Sequence, residues 1–155
     1  MKLIFLDIDG VLVTSRHLIQ SNKYFGFEFD PECIKNLLDI LEKTEAQIVV
    51  SSSWREGRTL KQLQSIFEIN GIIKVIGMTP VIDGVIRGRE IKEYLHNSNE
   101  CGMNISKFVI IDDEEEMGDL KNYLIETDFK TGINQEVKDR VINFLSKFGD
   151  ADGIS

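Results

Sequence analysis

The apolar positions of this chain fall into two patterns. Short β-branched runs alternate with longer stretches in which apolar residues recur every three or four positions. The runs at residues 2–6, 47–50, 74–76, 108–111 and 123–126 read as strands, the last a short edge strand. Asp30-Pro31-Glu32 opens a helix, with Asp as N-cap and Pro in the first turn, and Ile34, Leu37, Leu38 and Leu41 follow at helical spacing. A second helix covers about residues 59–69, turns Leu60, Leu63, Ile66 and Phe67 inward, and ends at Asn70-Gly71. A third covers 90–96 and buries Ile91, Tyr94 and Leu95. Asn134 caps a last helix carrying Val137, Val141, Phe144, Leu145 and Phe148, with Gly149 at its end. Residues 14–29 are mixed and predict a small flap or hairpin.

Continuous apolar strands separated by helices predict a parallel sheet covered on both faces, an α/β three-layer Rossmann-like architecture. Ligands of such sheets bind beyond the carboxyl ends of the strands. Three predicted strands end in chemistry: Leu6 runs into Asp7, Val50 into Ser51-Ser52-Ser53, and Ile111 into Asp112-Asp113. If strand geometry persisted to Asp9, Asp7 and Asp9 would share one side. Two acids on one side repel unless a cation or a proton joins them. The pattern therefore calls for a divalent metal, a shared proton, or both.

Length and composition narrow the picture. A chain of 155 residues predicts one domain, over 1–149, with a frayed tail at 150–155. The net charge of −8 works against generic binding to a phosphate backbone, although a local pocket of Arg55, Arg58, Arg87 and Arg89 would offset it for a nucleic-acid end. Any one of those arginines reads equally well as a solvated surface residue. No run is long enough to span a membrane, and Met1-Lys2-Leu3 leads into the first strand without a signal-peptide pattern. Two cysteines, Cys33 and Cys101, suit reduced thiols rather than a disulfide framework. Together these features predict a cytoplasmic chain, with nothing that points to a membrane or to a stable protein partner.

The pieces taken together resemble the haloacid dehalogenase (HAD) superfamily. The likeness rests on Asp7-Ile8-Asp9-Gly10-Val11-Leu12, on Ile48-Val49-Val50-Ser51-Ser52, on Arg87-Gly88-Arg89-Glu90-Ile91 and on Val109-Ile110-Ile111-Asp112-Asp113. The wording Ser52-Ser53-Trp54-Arg55 and Arg87-Gly88-Arg89-Glu90-Ile91 is also similar to a small HAD group fused to RNA-repair modules. The resemblance implies a phosphatase in which Asp7 is the nucleophile and forms an aspartyl-phosphate. It implies Mg²⁺ held by Asp7, the backbone carbonyl of Asp9, and Asp113, with Asp9 as general acid and base. It further implies that Ser52 donates to a phosphoryl oxygen, with Ser51 as the alternative. Arg87, with Arg89 as alternative, neutralises the transferring group, and Asp112 supports the metal site. Many relatives carry Lys where Arg87 stands.

The intervals between motifs have room only for a helix and a strand or flap, so no large cap domain is expected. An open site suits a large phosphorylated substrate, including a nucleotide or a nucleic-acid end. Two other classes fit parts of the pattern: a receiver phosphorylated by a partner, and a catalytically silent binding module. Three further residues read more plainly: Trp54 as core, His17 and His96 as surface histidines. Glu114, Glu115 and Glu116 are expected on the surface.

Overall fold

The computed structural model describes residues 1–146. Phe148, Gly149 and the tail 150–155, on which sequence expectations were placed, lie outside the described residues. The chain alternates strands and helices from its first residues. Strands β1 (Lys2–Leu6), β2 (Gln47–Val50), β3 (Val75–Met78), β4 (Lys107–Asp112) and β5 (Leu124–Glu126) form one parallel sheet in the order β3-β2-β1-β4-β5. Helices α1 (Pro31–Thr44), α2 (Leu60–Ile69) and α4 (Gln135–Ser146) cover the face carrying Ile4, Leu6, Ile48, Val50 and Ile111. Helix α3 (Arg87–Glu100) and a 3-10 segment, Gly118–Tyr123, cover the face carrying Leu3, Phe5, Val49 and Ile110. Both faces of the sheet are thus buried, which is why its strands are apolar throughout rather than alternating.

The sheet order positions the site. β1 lies in the middle; the chain moves outward to β2 and β3, then returns past β1 to β4 and β5. The crevice at such a reversal lies at the carboxyl ends of β1 and β4, where Leu6 pairs with Ile111 and Asp7 N–H donates to Ile111 O at 3.0 Å. The order also differs from the 2-1-3-4-5 arrangement of receivers, which removes the structural ground for that alternative. Among the described residues no helix is long and apolar enough to cross a membrane.

Caps explain most helix starts. Asp30 accepts from Glu32 N–H at 2.9 Å ahead of Pro31, Thr59 and Gln62 form a capping box, and Asn134 accepts from Val137 N–H at 2.9 Å. α3 departs from expectation. It begins at Arg87 rather than residue 90 and runs on to Glu100, because Ile86 stands at its N-cap with no side-chain hydrogen bond to announce it. Packing selects the glycine in its first turn: a Cβ on Gly88 would overlap the Met117 carbonyl. In α1 the inward face carries Leu37, Ile40 and Leu41, while Leu38 is exposed. Tyr123 closes the 3-10 segment and β5 starts one residue later.

Residues 14–29 make a flap without regular strands. It is joined by one antiparallel bridge, Gln20 to Phe27, with Ser21 N–H on Gly26 O and Glu28 N–H on Ile19 O, each 2.8 Å. Its base is tied to α1 through Asp30, which also accepts from Thr14 Oγ1 and Arg16 Nε, each at 2.7 Å. Burial alone would raise the Asp30 carboxyl, but the bonds from Arg16, Thr14 and Glu32 N–H outweigh it and hold the group below the usual carboxylate range.

A depressed folded value means stability that is present above the unfolded carboxylate range and lost as pH falls through the folded one. Asp30→Asn keeps a capping oxygen but presents an amide to Arg16 and Thr14. It should cost about 1–3 kcal/mol near neutrality, and urea denaturation should find the gap narrowing as pH falls below about 5 and on through the lowered folded value.

Candidate active site

β1 stops at Leu6, and the chain turns at once: the N–H groups of Val11, Leu12 and Val13 all donate to Ile8 O at 2.8–3.1 Å. The alternation that would have put Asp7 and Asp9 on one side therefore does not continue. Asp7 is buried and Asp9 is exposed. Gly10 holds a φ of +80° in this turn, and a Cβ there would overlap the carboxylate of Asp113. Thr127 Oγ1 pins the turn by donating to Gly10 O at 2.7 Å.

Asp113 therefore lies directly over the β1 turn. One carboxylate oxygen from each of Asp7, Asp112 and Asp113 falls within 4.8 Å of the others. The N-terminal and late acids of the sequence thus converge, but the third carboxylate of the cluster is Asp112, not Asp9. Arg87, at the start of α3, is the one guanidinium within the cluster among the described residues. Its Nη1 lies 2.9 and 3.1 Å from the Asp112 oxygens and 3.2 Å from Asp7 Oδ2. Asp112 also accepts from Glu114 N–H at 2.9 Å, and Asp7 Oδ1 from Ile8 N–H at 2.7 Å.

Three acids against one arginine leave an excess of negative charge in a low-dielectric crevice. Burial and the neighbouring Asp112 push the Asp7 carboxyl up to about 9, with Arg87 and the Ile8 N–H opposing them. Asp113 is raised as well, chiefly by burial. Such a cluster needs a proton or a cation, and its hard oxygen donors fit Mg²⁺, although Asp7 and Asp112 each also meet Arg87.

The serines after β2 differ. Ser52 Oγ accepts from Trp54 N–H at 3.2 Å, capping a 3-10 turn at Ser53–Arg55. Ser51 lies beside Asp7, its N–H on Leu6 O at 2.8 Å, and its buried Oγ has no hydrogen-bond partner among the described residues. The four arginines do not form one pocket. Arg55 is buried and committed to Glu90, Thr79 and Pro80; Arg58 lies over the Trp54 ring; Arg89 is exposed; Arg87 alone reaches the acids.

Residues 3–137 match the family described as the HAD domain in Swiss Army Knife RNA repair proteins. The chain belongs to this HAD family. Among curated proteins none matches it significantly. Membership fits the three-layer parallel sheet and the small size without a large cap, and it puts the domain among HAD-like phosphatases and hydrolases in kind.

Two features of this HAD domain were missed in the sequence. Trp54, expected as core, is buried as foreseen, but its Nε1–H donates to Asp9 Oδ1 at 3.1 Å. Beside Asp9 and Asp113 opens a cavity of about 380 Å³ walled by Val13, Leu18, Phe27 and Phe129. The only advance sign of the first was the chain's single tryptophan standing right after the serine run; the second joins flap and β5-loop residues far apart in sequence. His17, in the flap, stands 3.4 Å from Glu28 and is half-buried, whereas His96 is exposed.

The raised Asp7 value fixes a sign. Between the unfolded value of 3.8 and about 9, the folded chain keeps a proton the unfolded chain has lost, so stability without a cation falls as pH rises. Asp7→Asn should flatten that slope and raise Tm near pH 8, by about 2–4 °C for each kcal/mol relieved. Added Mg²⁺ should raise Tm of the wild type and leave the variant nearly unmoved, both read by thermal scans.

Proposed function

We propose that this HAD domain is a Mg²⁺-dependent phosphomonoester phosphatase that works through an aspartyl-phosphate on Asp7. The observation that carries the reading is a buried acid at the switch point of the sheet, in contact with Arg87 and flanked by Asp112 and Asp113. The ion would be held by Asp7, Asp113 and the backbone carbonyl of Asp9; when bound it supplies the positive charge that lets an anionic nucleophile approach a phosphate dianion.

The chain's own residues then divide the work. An Asp7 carboxylate oxygen attacks phosphorus as the ester P–O bond breaks, and Asp9 gives its proton to the leaving oxygen. Asp9 next takes a proton from water as that water attacks the phosphoryl group. The Asp7–phosphorus bond breaks, and phosphate leaves with the carboxylate restored. Ser52, whose hydroxyl accepts from Trp54 N–H and keeps its own proton to donate, serves a phosphoryl oxygen, with the unpartnered Ser51 as alternative. Arg87 offsets charge on the transferring group, and Asp112, through its two-oxygen contact, fixes Arg87 there.

No large domain covers the crevice, which supports a bulky substrate. The family description, with its RNA repair proteins, supports a phosphorylated nucleic-acid or nucleotide end among such substrates.

Phosphate release from an aryl phosphate with Mg²⁺ tests the reading, followed by a screen of phosphorylated sugars, nucleotides, peptides and RNA or DNA ends. Asp7→Asn should lose at least about a thousandfold in kcat, and Asp9→Asn about 10²–10⁴-fold. Full turnover by Asp7→Asn would refute the reading.

A further inference from the structure

The Trp54 side chain has no part in the mechanism above, yet it is built into the site more tightly than a core residue needs. It belongs to the 3-10 turn after β2, whose next residue, Arg55, donates to Ser52 O, to Thr79 and Pro80 carbonyls and to Glu90. That turn is therefore closed on its own N-cap and anchored to the loop after β3 and to α3 at once. The indole is held on its other sides as well. The Arg58 guanidinium lies 4.9 Å from the ring centroid, and Arg58 also donates to Trp54 O and to the flap carbonyl of Phe25. Gly26 of the flap lies against the ring edge, where a Cβ would come within 2.9 Å, and Tyr24 and Phe29 approach at centroid distances of 6.1 and 6.0 Å.

The polar edge of this fixed ring points at one group. Nε1–H donates to Asp9 Oδ1 at 3.1 Å, the one side-chain hydrogen bond made by the Asp9 carboxylate among the described residues. Asp9 is otherwise an exposed side chain with free rotamers.

We propose that Trp54 is a positioning residue for proton transfer: its indole N–H holds the Asp9 carboxyl in one orientation and reserves its second oxygen for the substrate. The proposal rests on the phosphatase reading. An indole N–H can only donate, so the oxygen it meets, Oδ1, must be the accepting one. Oδ2 is left to carry the proton. That proton passes to the leaving oxygen as the ester P–O bond breaks, and Oδ2 regains one from the water that cleaves the phosphoryl-enzyme. Without the N–H, the carboxyl samples other rotamers and the proton is delivered less often.

Two measurements test this, and they fail independently. The first needs no activity. Because the chain has a single tryptophan, its ¹H–¹⁵N spectrum carries one indole signal. In Asp9→Ala that signal should shift and its solvent exchange quicken about fivefold, the measure of one lost hydrogen bond. An unmoved signal overturns the proposal. The second compares two esters in Trp54→Phe, which keeps an aromatic ring and removes the N–H. A nitrophenyl phosphate leaves with little help from an acid; an alkyl phosphate does not. The variant should lose about tenfold or more in kcat/KM, which reports phosphoryl transfer to Asp7 and not the shared hydrolysis step, on the alkyl ester and less than about threefold on the nitrophenyl ester. Equal losses on both, or none, overturn the positioning role. A wild-type chain inert on both esters removes the phosphatase reading and this role with it, while the indole signal still reports whether the bond to Asp9 exists.

Discussion

Crowded negative charge at the ends of β1 and β4 is the constraint on which the rest of the site depends. Parallel pairing of these strands brings Asp7 and Asp112 side by side, and the turn at Gly10 lets Asp113 settle over them. A single arginine answers three acids. Three donors keep the arrangement from flying apart: Ile8 N–H on Asp7, Glu114 N–H on Asp112, Thr127 on the Gly10 carbonyl. These donors hold backbone and carboxylates in place without neutralising them. The remaining field suits the crevice to a cation and, on the proposed reading, to a phosphate once the cation is in place.

Arg87 must be placed accurately for this balance, and its own helix start has no side-chain cap. The buried Arg55–Glu90 pair supplies the missing restraint. Glu90 lies one turn after Arg87; one oxygen meets Arg55 at 3.0 Å and the other accepts Ile82 N–H at 2.9 Å. A buried pair of this kind is poor evidence for stability, since desolvation cancels much of its attraction. Its value is geometric. It joins the turn after β2, the loop leading into α3, and α3 itself, so that the serines, Trp54 and Arg87 keep fixed mutual positions.

Much of this was readable before any coordinates. Strands and helices followed from periodicity, and the caps at Asp30, Thr59 and Asn134 from residue type, because those signals are local. The start of α3 was not readable, since Gly88 is chosen there by the approach of Met117 from another segment. Ile40 displaced Leu38 from the inward face of α1 for a similar reason: which of two apolar neighbours is buried depends on the angle at which the helix meets α4 and the sheet. Asp7, Asp112, Asp113 and Arg87 were found as motif residues, whereas the contrast between Ser51 and Ser52 rests on which hydroxyl the following turn recruits. Arg55 read as a possible anion-binding residue because nothing in a sequence says that a guanidinium will be spent on Glu90 and on main-chain carbonyls.

The flap was legible as a flap or hairpin, and what the tertiary structure adds is its fastening. Residues 14–29 are held at two places: Thr14 and Arg16 to Asp30, Gly26 and Phe25 to Trp54 and Arg58. Leu18 and Phe27 from this segment, with Phe129 from the loop after β5, wall the cavity beside Asp9 and Asp113. A substrate entering there would press on the same flap that packs against the indole. Its apolar walls line one side of Asp9, which itself stays exposed, so on the proposed reading a small insertion shapes the leaving-group side of a crevice that no large cap covers.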